Sequence, residues 1–436
     1  MGVDSEDHPQ VRIALRNCGH VEPRNTNPSI ARGSYEGFKK ALKLSPAGVI
    51  EEVGRSGLRE RSGNGYGVAE TWRLCLDVPG NEKHLICNAA EGDPFSLIVQ
   101  TLLEEDPHSV LEGMLIGAYA MGAGRGWICV NAEYGEAIRS LGAALKEMED
   151  HGLLGRHILN SQFSFNIEVR ALPGKLTFID DGQLIQVVEG RKTLPFVSSP
   201  PLPFHGLEGK PTLIHQTETW SHVSAILEKG SEWYAAHGTE QSRGTKIFTL
   251  SGNVMNPGLV EVPMGTPLRR IVYDLGGGVP EGQNLKAVQV GGPTGGFLPA
   301  DALDLPVDYE SLSGAGTFMG SGTLLVLDDS ACMVNQAKST LSFIEAESCG
   351  RCVFCREGTR QMWEILKEIT EGKGKTDDID LLSELSEGLA SGAECDMGRA
   401  AAHPVLTVIR YFRGELEAHV KGRQCEVQVC KELRGS

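Results

Sequence analysis

From residue 57 to about 240, short apolar runs alternate with glycine-bearing loops and with stretches whose apolar positions recur every three or four residues. This is the pattern of strands and helices laid down in turn, and it predicts an α/β layer. Leu85-Ile86-Cys87-Asn88 reads as a strand, Ser109 to Met121 as a helix, Gly126-Trp127-Ile128-Cys129-Val130 as a second strand, and Glu136 to His151 as a second helix. Upstream, Val11-Arg12-Ile13-Ala14-Leu15 reads as a short strand and Tyr35 to Leu44 as a helix. Pro195, Pro200, Pro201 and Pro203 mark a loop, because proline removes a backbone donor and fixes φ. Between 244 and 328 the helical period vanishes. Short alternating runs such as Lys246-Ile247-Phe248-Thr249-Leu250 there sit between Asn-Pro-Gly and Gly-Gly-Gly turns, which predicts a small β-rich domain. Past 333 the period is helical again: Met362, Ile365, Leu366 and Ile369 share one face, and Val405, Val408, Ile409, Phe412 and Leu416 another. The expected divisions are an N-terminal segment 1–56, an α/β domain 57–240, a β domain 241–330, a helical bundle 331–424 and a tail 425–436.

Composition narrows the function. A chain of 436 residues has ample core, so its size does not demand metal or disulfide staples, and a metal site would be functional. A net charge of −16 argues against nucleic-acid binding, whose affinity comes from neutralising phosphates. The start, Met1 to His8, is acidic and polar, unlike a secretory signal, and Gly2 lacks the partner residue of a myristoylation motif. The most apolar stretch, Val110 to Gly122, is interrupted by Glu112 and too short to span a bilayer. A reducing, cytoplasmic setting without membrane insertion is expected. Among the 11 cysteines, Cys75, Cys87 and Cys129 read as ordinary buried residues.

The strongest chemistry is the run Glu347-Ser348-Cys349-Gly350-Arg351-Cys352-Val353-Phe354-Cys355-Arg356. Thiols spaced two residues apart wrap one face of an iron–sulfur cluster, and Cys395, in Ala393-Glu394-Cys395-Asp396-Met397-Gly398, is the candidate fourth ligand. Four thiolates suit a [4Fe-4S] cluster. Zinc and unliganded thiols are the alternatives, while a disulfide framework has no purpose in a chain of this size. In the tail, His419, Cys425 and Cys430 offer three zinc ligands, completed by a partner chain, against the alternative of two free thiols.

The layout is similar to the NADH-binding, flavin-carrying subunit family of complex I and of bidirectional and electron-bifurcating hydrogenases. The strongest carriers are the run through Cys349, Cys352, Cys355, Arg356, Gly358 and Thr359, and Cys395. Weaker ones are Ile30-Ala31-Arg32-Gly33-x-Tyr35-Glu36, Pro107-His108-x3-Glu112-Gly113-Met114 and Gly209-Lys210-Pro211-Thr212. Cys425-x4-Cys430 resembles a segment of hydrogenase-type relatives that leads into a ferredoxin-like domain. The resemblance implies a Rossmann-like flavoprotein domain, a β-grasp (SLBB-like) domain and a C-terminal four-helix bundle carrying the cluster. It also implies FMN, NAD(H) and partner subunits, including a thioredoxin-like [2Fe-2S] subunit.

The expected FMN/NADH pocket comprises Gly63, Gly65, Asn88, Glu91, Asp180, Asp181, His215 and Gln216. Its motifs depart from the family pattern. The glycine loop carries Glu60 for a glycine and Thr71 for a lysine, Ala90 loses an acceptor, Ile179 replaces a glycine, and His215-Gln216 replaces paired asparagines. Glu60 and the missing lysine oppose an anionic cofactor. Read without the family, Gly63, Gly65 and Gly67 shape a turn, Asp180 and Asp181 are a solvated pair, and His215 is an ordinary polar residue. The expectation is an electron-transfer subunit of a multisubunit oxidoreductase that relays through the cluster, its NADH/FMN site altered or lost. The alternatives are a working NADH:acceptor subunit and a scaffold.

Overall fold

The computed structural model describes residues 10–63, 65–80, 82–192 and 202–433, excluding the side chains of 26–28. The loop prolines Pro195, Pro200 and Pro201, the N-terminal octet and Asn64 lie outside that set, whereas Pro203 falls in a described turn.

Strands β1 (His84–Ala89), β2 (Arg125–Asn131), β3 (Asn166–Leu172) and β4 (Thr212–Gln216) form a parallel sheet in the order β3-β2-β1-β4. Every residue of β1 is buried, which is why its sequence is a continuous apolar run and not an alternation. Cys87 enters the core on one face of the sheet and Cys129 the core on the other. Helix Pro107–Met121 crosses helix Thr217–Lys229 at Gly113, where a Cβ would meet the Trp220 carbonyl oxygen at 1.9 Å, so only glycine permits the approach. The strand order reverses between β1 and β4, and at such a point the carboxyl ends of the strands open a crevice. Asn88 and Gln216 face each other there in register.

The expected strand Val11–Leu15 is instead a turn, because the backbone N–H groups of Ile13, Ala14 and Leu15 converge on the Glu261 carboxylate at 2.8–2.9 Å. An alternating sequence cannot announce a distant anion that claims its donors. The helix expected from Tyr35 to Leu44 is confined to Glu36–Ala41, preceded by Tyr35 at φ 70.

A second sheet, β5 (Thr245–Gly252), β6 (Gly258–Pro263), β7 (Leu285–Val290), β8 (Gly296–Pro299) and β9 (Thr323–Asp328), is ordered β6-β5-β9-β7-β8. Helices have not vanished from this region. Leu268–Arg270 continues into a π turn at Ile271–Leu275, and Tyr309–Gly314 forms another, each too short for a helical period to show in sequence. Buried Glu218 joins the two sheets' units, receiving Lys246 Nζ and the Ile247 N–H.

Helices Met333–Glu347, Val353–Thr370, Asp378–Gly392 and His403–Tyr411 form the C-terminal bundle around Met362, Leu366, Leu382, Val405 and Val408. The apolar face expected to continue to Leu416 is broken at Phe412 (φ −124), and a separate helix, Arg413–Lys421, follows. Among the described residues no helix is long and apolar enough to cross a membrane.

Candidate metal centres and the adjoining cavity

The bundle brings together the four cysteines expected to ligate the cluster. Cys352 caps helix Val353–Thr370, and Cys395 caps helix Asp396–Ala400, where Gly398 N–H donates to its sulfur at 3.4 Å. Cys352, Cys355 and Cys395 are buried and Cys349 is half-buried, all four as free thiols. Burial pushes the Cys395 thiol up to about 12, with Asp180 and the Cys355 and Cys349 sulfurs adding to it. Burial likewise raises Cys355, where Cys349 and Cys352 add to the effect. Cys355 and Cys395, buried thiols that resist ionisation, fit a positively charged iron core that would hold them as thiolates. Ser348 Oγ stands 3.4 Å from Cys355 Sγ.

Beside this centre, at the crevice between β1 and β4, lies a cavity of about 370 Å³. Asn88, Asp180, Asp181, His215 and Gln216 line it together; Gly63 and Glu91 line a narrower adjoining crevice. Gly65 does neither. At φ +55 it passes beneath Tyr309, whose ring a Cβ would meet at 2.5 Å, and Gly63 similarly passes Phe318 at 2.8 Å, so both glycines serve close packing against the β-grasp unit.

Glu60 lines the cavity, and it is not the uncompensated carboxylate expected from sequence. Gln216 N–H donates to it at 3.2 Å and Thr219 Oγ1 at 2.9 Å. His215 supplies the third bond from Nδ1, because Trp72 Nε1–H, which can only donate, occupies His215 Nε2 at 2.9 Å. Arg61 is fully buried and donates to Tyr234, Tyr309 and two carbonyls, away from the cavity. Thr71 bonds Val68 O within its own helix. Asn88 holds the Phe178 carbonyl at 2.8 Å. Glu91 accepts Gly92 and Asp93 N–H, and burial, then Asp93, lifts it to about 7. Asp180 caps helix Asp181–Val188 and is raised by burial and by Asp396. Asp181 is held well above the usual carboxylate range by burial, then by Glu60, Asp180 and Asp396. The described lining thus carries Glu60, Asp180, Asp181, Glu394 and Asp396 against one cation, Arg399, itself bound to Asp396 and Ala393 O. Arg399 is the one lysine or arginine among the described residues that line this cavity.

A second set of ligands gathers where the tail folds back on the bundle. The ligand atoms of Cys332, His419, Cys425 and Cys430 all lie within 4.8 Å of one another. The fourth member of the group is Cys332 of this chain, where the sequence left the set to be completed by a partner chain. Cys332 Sγ is 3.8 Å from Cys430 Sγ and 3.4 Å from His419 Nε2, and Cys430 Sγ is 3.5 Å from the same nitrogen. Tetrahedral zinc with bonds of about 2.3 Å to sulfur and 2.0 Å to nitrogen implies edges of roughly 3.5–3.8 Å. Glu415 O fixes His419 Nδ1 at 2.8 Å, turning Nε2 toward the thiols. Cys332 lies 87 positions from His419, and its one signal in sequence is its place just before a helix, like Cys352 and Cys395. Cys75 and Cys129, both pushed up to about 12 by burial, stand apart from these groups.

Three family models match the chain: the Nuo51 FMN-binding domain over 53–225, the SLBB domain over 247–298, and the iron–sulfur binding region of NADH-ubiquinone oxidoreductase-F over 335–419. The NADP-reducing hydrogenase subunit HndC of Solidesulfovibrio fructosivorans is 42% identical, over 99% of this chain and 88% of its own. The corresponding NADH-quinone oxidoreductase subunit of Escherichia coli (strain K12) is 38% identical, over 90% of this chain and 88% of its own. Among solved structures, an NAD+-reducing [NiFe]-hydrogenase matches with a TM-score of 0.81 at 29% identity, covering 94% of this chain and 67% of that one.

Proposed function

The chain belongs to the NADH-ubiquinone oxidoreductase-F family and its hydrogenase counterparts, which joins an FMN-binding-type domain to an iron–sulfur binding region. From that premise we propose that it is the one-electron relay subunit of a multisubunit oxidoreductase, with a flavin/NADH pocket that has diverged. Cys349, Cys352, Cys355 and Cys395 hold a [4Fe-4S] cluster, which supplies one-electron transfer when bound. The chain's own residues bury three of the four sulfurs, aim the Gly398 N–H at one, and place them beside the cavity. The loop Lys175 to Asp181 links cavity and centre: Lys175 Nζ and Leu176 N–H are bound by Glu347, next to Ser348 and Cys349.

The observation that carries the divergence is the cavity's lining, in which Glu60 and four other acidic side chains, Asp180 and Asp181 among them raised by burial, face a single engaged arginine. Electrons reach and leave the centre through other iron–sulfur or flavoprotein subunits, a thioredoxin-like [2Fe-2S] subunit among them, in the cytoplasm. Cys332, His419, Cys425 and Cys430 form a closed structural zinc site that pins the tail to the bundle. The test is cofactor content with activity: purified protein should contain iron and acid-labile sulfide at cluster stoichiometry, little acid-released flavin, and negligible NADH-driven dye reduction. A working NADH:acceptor site is the second reading, favoured by the FMN-domain match and by the 42% identity to a hydrogenase subunit. Stoichiometric FMN with rapid dye reduction would establish it; absence of both flavin and cluster would leave the scaffold.

A further inference from the structure

The hydroxyl of Ser348 sits between two partners. Gly350 N–H donates to its oxygen at 3.2 Å, and Cys355 Sγ lies 3.4 Å away. With a free thiol either atom could donate, but a sulfur that ligates a cluster is a thiolate with no hydrogen, so there the Ser348 hydroxyl, which has one hydrogen to give, is the donor and the sulfur the acceptor. The geometry is held from both sides. Gly350 at φ +69 turns its amide back over the serine, a conformation glycine adopts without strain. Ser348 N–H bonds Glu345 O at the end of helix Met333–Glu347, and the neighbouring Glu347 is tied to Lys175 at 3.0 Å.

We propose that Ser348 is a positioning residue that raises the reduction potential of the cluster by donating a hydrogen bond to the Cys355 sulfur. Reduction is a one-electron exchange in which no covalent bond forms or breaks: the cluster gains an electron from a redox partner and later returns it. The added negative charge spreads onto the sulfurs, so a donor aimed at one of them stabilises the reduced form more than the oxidised form. The inference rests on the relay reading only in requiring the cluster, and the iron and sulfide content of the wild type tests that requirement by itself.

The experiment compares full-length wild type with Ser348→Ala, Ser348→Val and Ser348→Thr by iron and sulfide analysis and by EPR-monitored redox titration with dithionite and mediators. Alanine and valine should lower the reduced-to-oxidised ratio at a fixed ambient potential about tenfold, which for one electron is a downward shift of about 59 mV. Threonine, which restores the hydroxyl in the shape of valine, should keep the wild-type potential, and the g-values should be unchanged in all. Equal potentials in valine and threonine would overturn the proposal. If one of alanine and valine holds no iron, the other decides; loss of iron from both overturns it, because a hydroxyl that only tunes the centre is not required to assemble it. An iron-free wild type would instead refute the relay reading.

Discussion

Replacing Glu60 by glutamine keeps the shape of the side chain that lines the cavity and removes its charge. The carboxylate is fixed by His215, Gln216 and Thr219, so it cannot swing away from an incoming ligand. A phosphate charge about 4 Å from it meets a repulsion of roughly 4 kcal/mol at an effective dielectric near 20, equivalent to about a thousandfold in affinity. Hydrogen bonds from three donors spread that charge, so a gain of about a hundredfold is the expectation for Glu60→Gln, and a larger one for Glu60→Gln with Thr71→Lys, which restores the cation of the related loops. The fold should tolerate the change: the amide oxygen can still accept from Gln216 N–H and Thr219 Oγ1, while the amide NH2 stands against His215 Nδ1, and losing that bond costs about 1–3 kcal/mol. The assay is titration of purified, flavin-free protein with FMN, read by quenching of flavin fluorescence, with thermal unfolding as the control. Wild type should bind weakly and the variants progressively more tightly. Tight FMN binding by wild type, or the same dissociation constant in all three proteins, would refute the argument that Glu60 repels the phosphate.

Cys352→Ala should abolish the broad absorbance at about 400 nm and the acid-labile sulfide; a zinc-containing, sulfide-free wild type would contradict the cluster. Cys332→Ala should lose zinc with iron unchanged and loosen the tail, so that proteolysis clips it first near 425; equal zinc in both proteins would remove that site. Burial lifts Glu112 from 4.5 to about 7, so the folded chain holds a proton that the unfolded chain releases between those values, and stability falls by up to about 3 kcal/mol as pH rises through that window. Glu112→Gln, whose amide oxygen can still accept from Phe38 N–H, should flatten this slope, and parallel urea midpoints for the two proteins between pH 5 and 8 would refute it.

Sequence determined what depends on neighbours along the chain. The spacing of Cys349, Cys352 and Cys355 marked the metal centre, and the apolar runs of β1 and β2 and the periodicity of Met362, Leu366 and Ile369 marked elements whose burial is set by their own pattern. The substitutions at Glu60, Thr71 and His215 were also visible residue by residue. Only the tertiary structure decided where long-range partners meet. Glu261 turns residues 13–15 away from a strand, Cys332 completes a ligand set across 87 positions, Gly65 serves Tyr309 and not the cavity, and Glu60 proves to be hydrogen-bonded to His215. In each case one side chain satisfies a buried group brought close by the fold, and such pairings carry no period or spacing that a linear reading can detect.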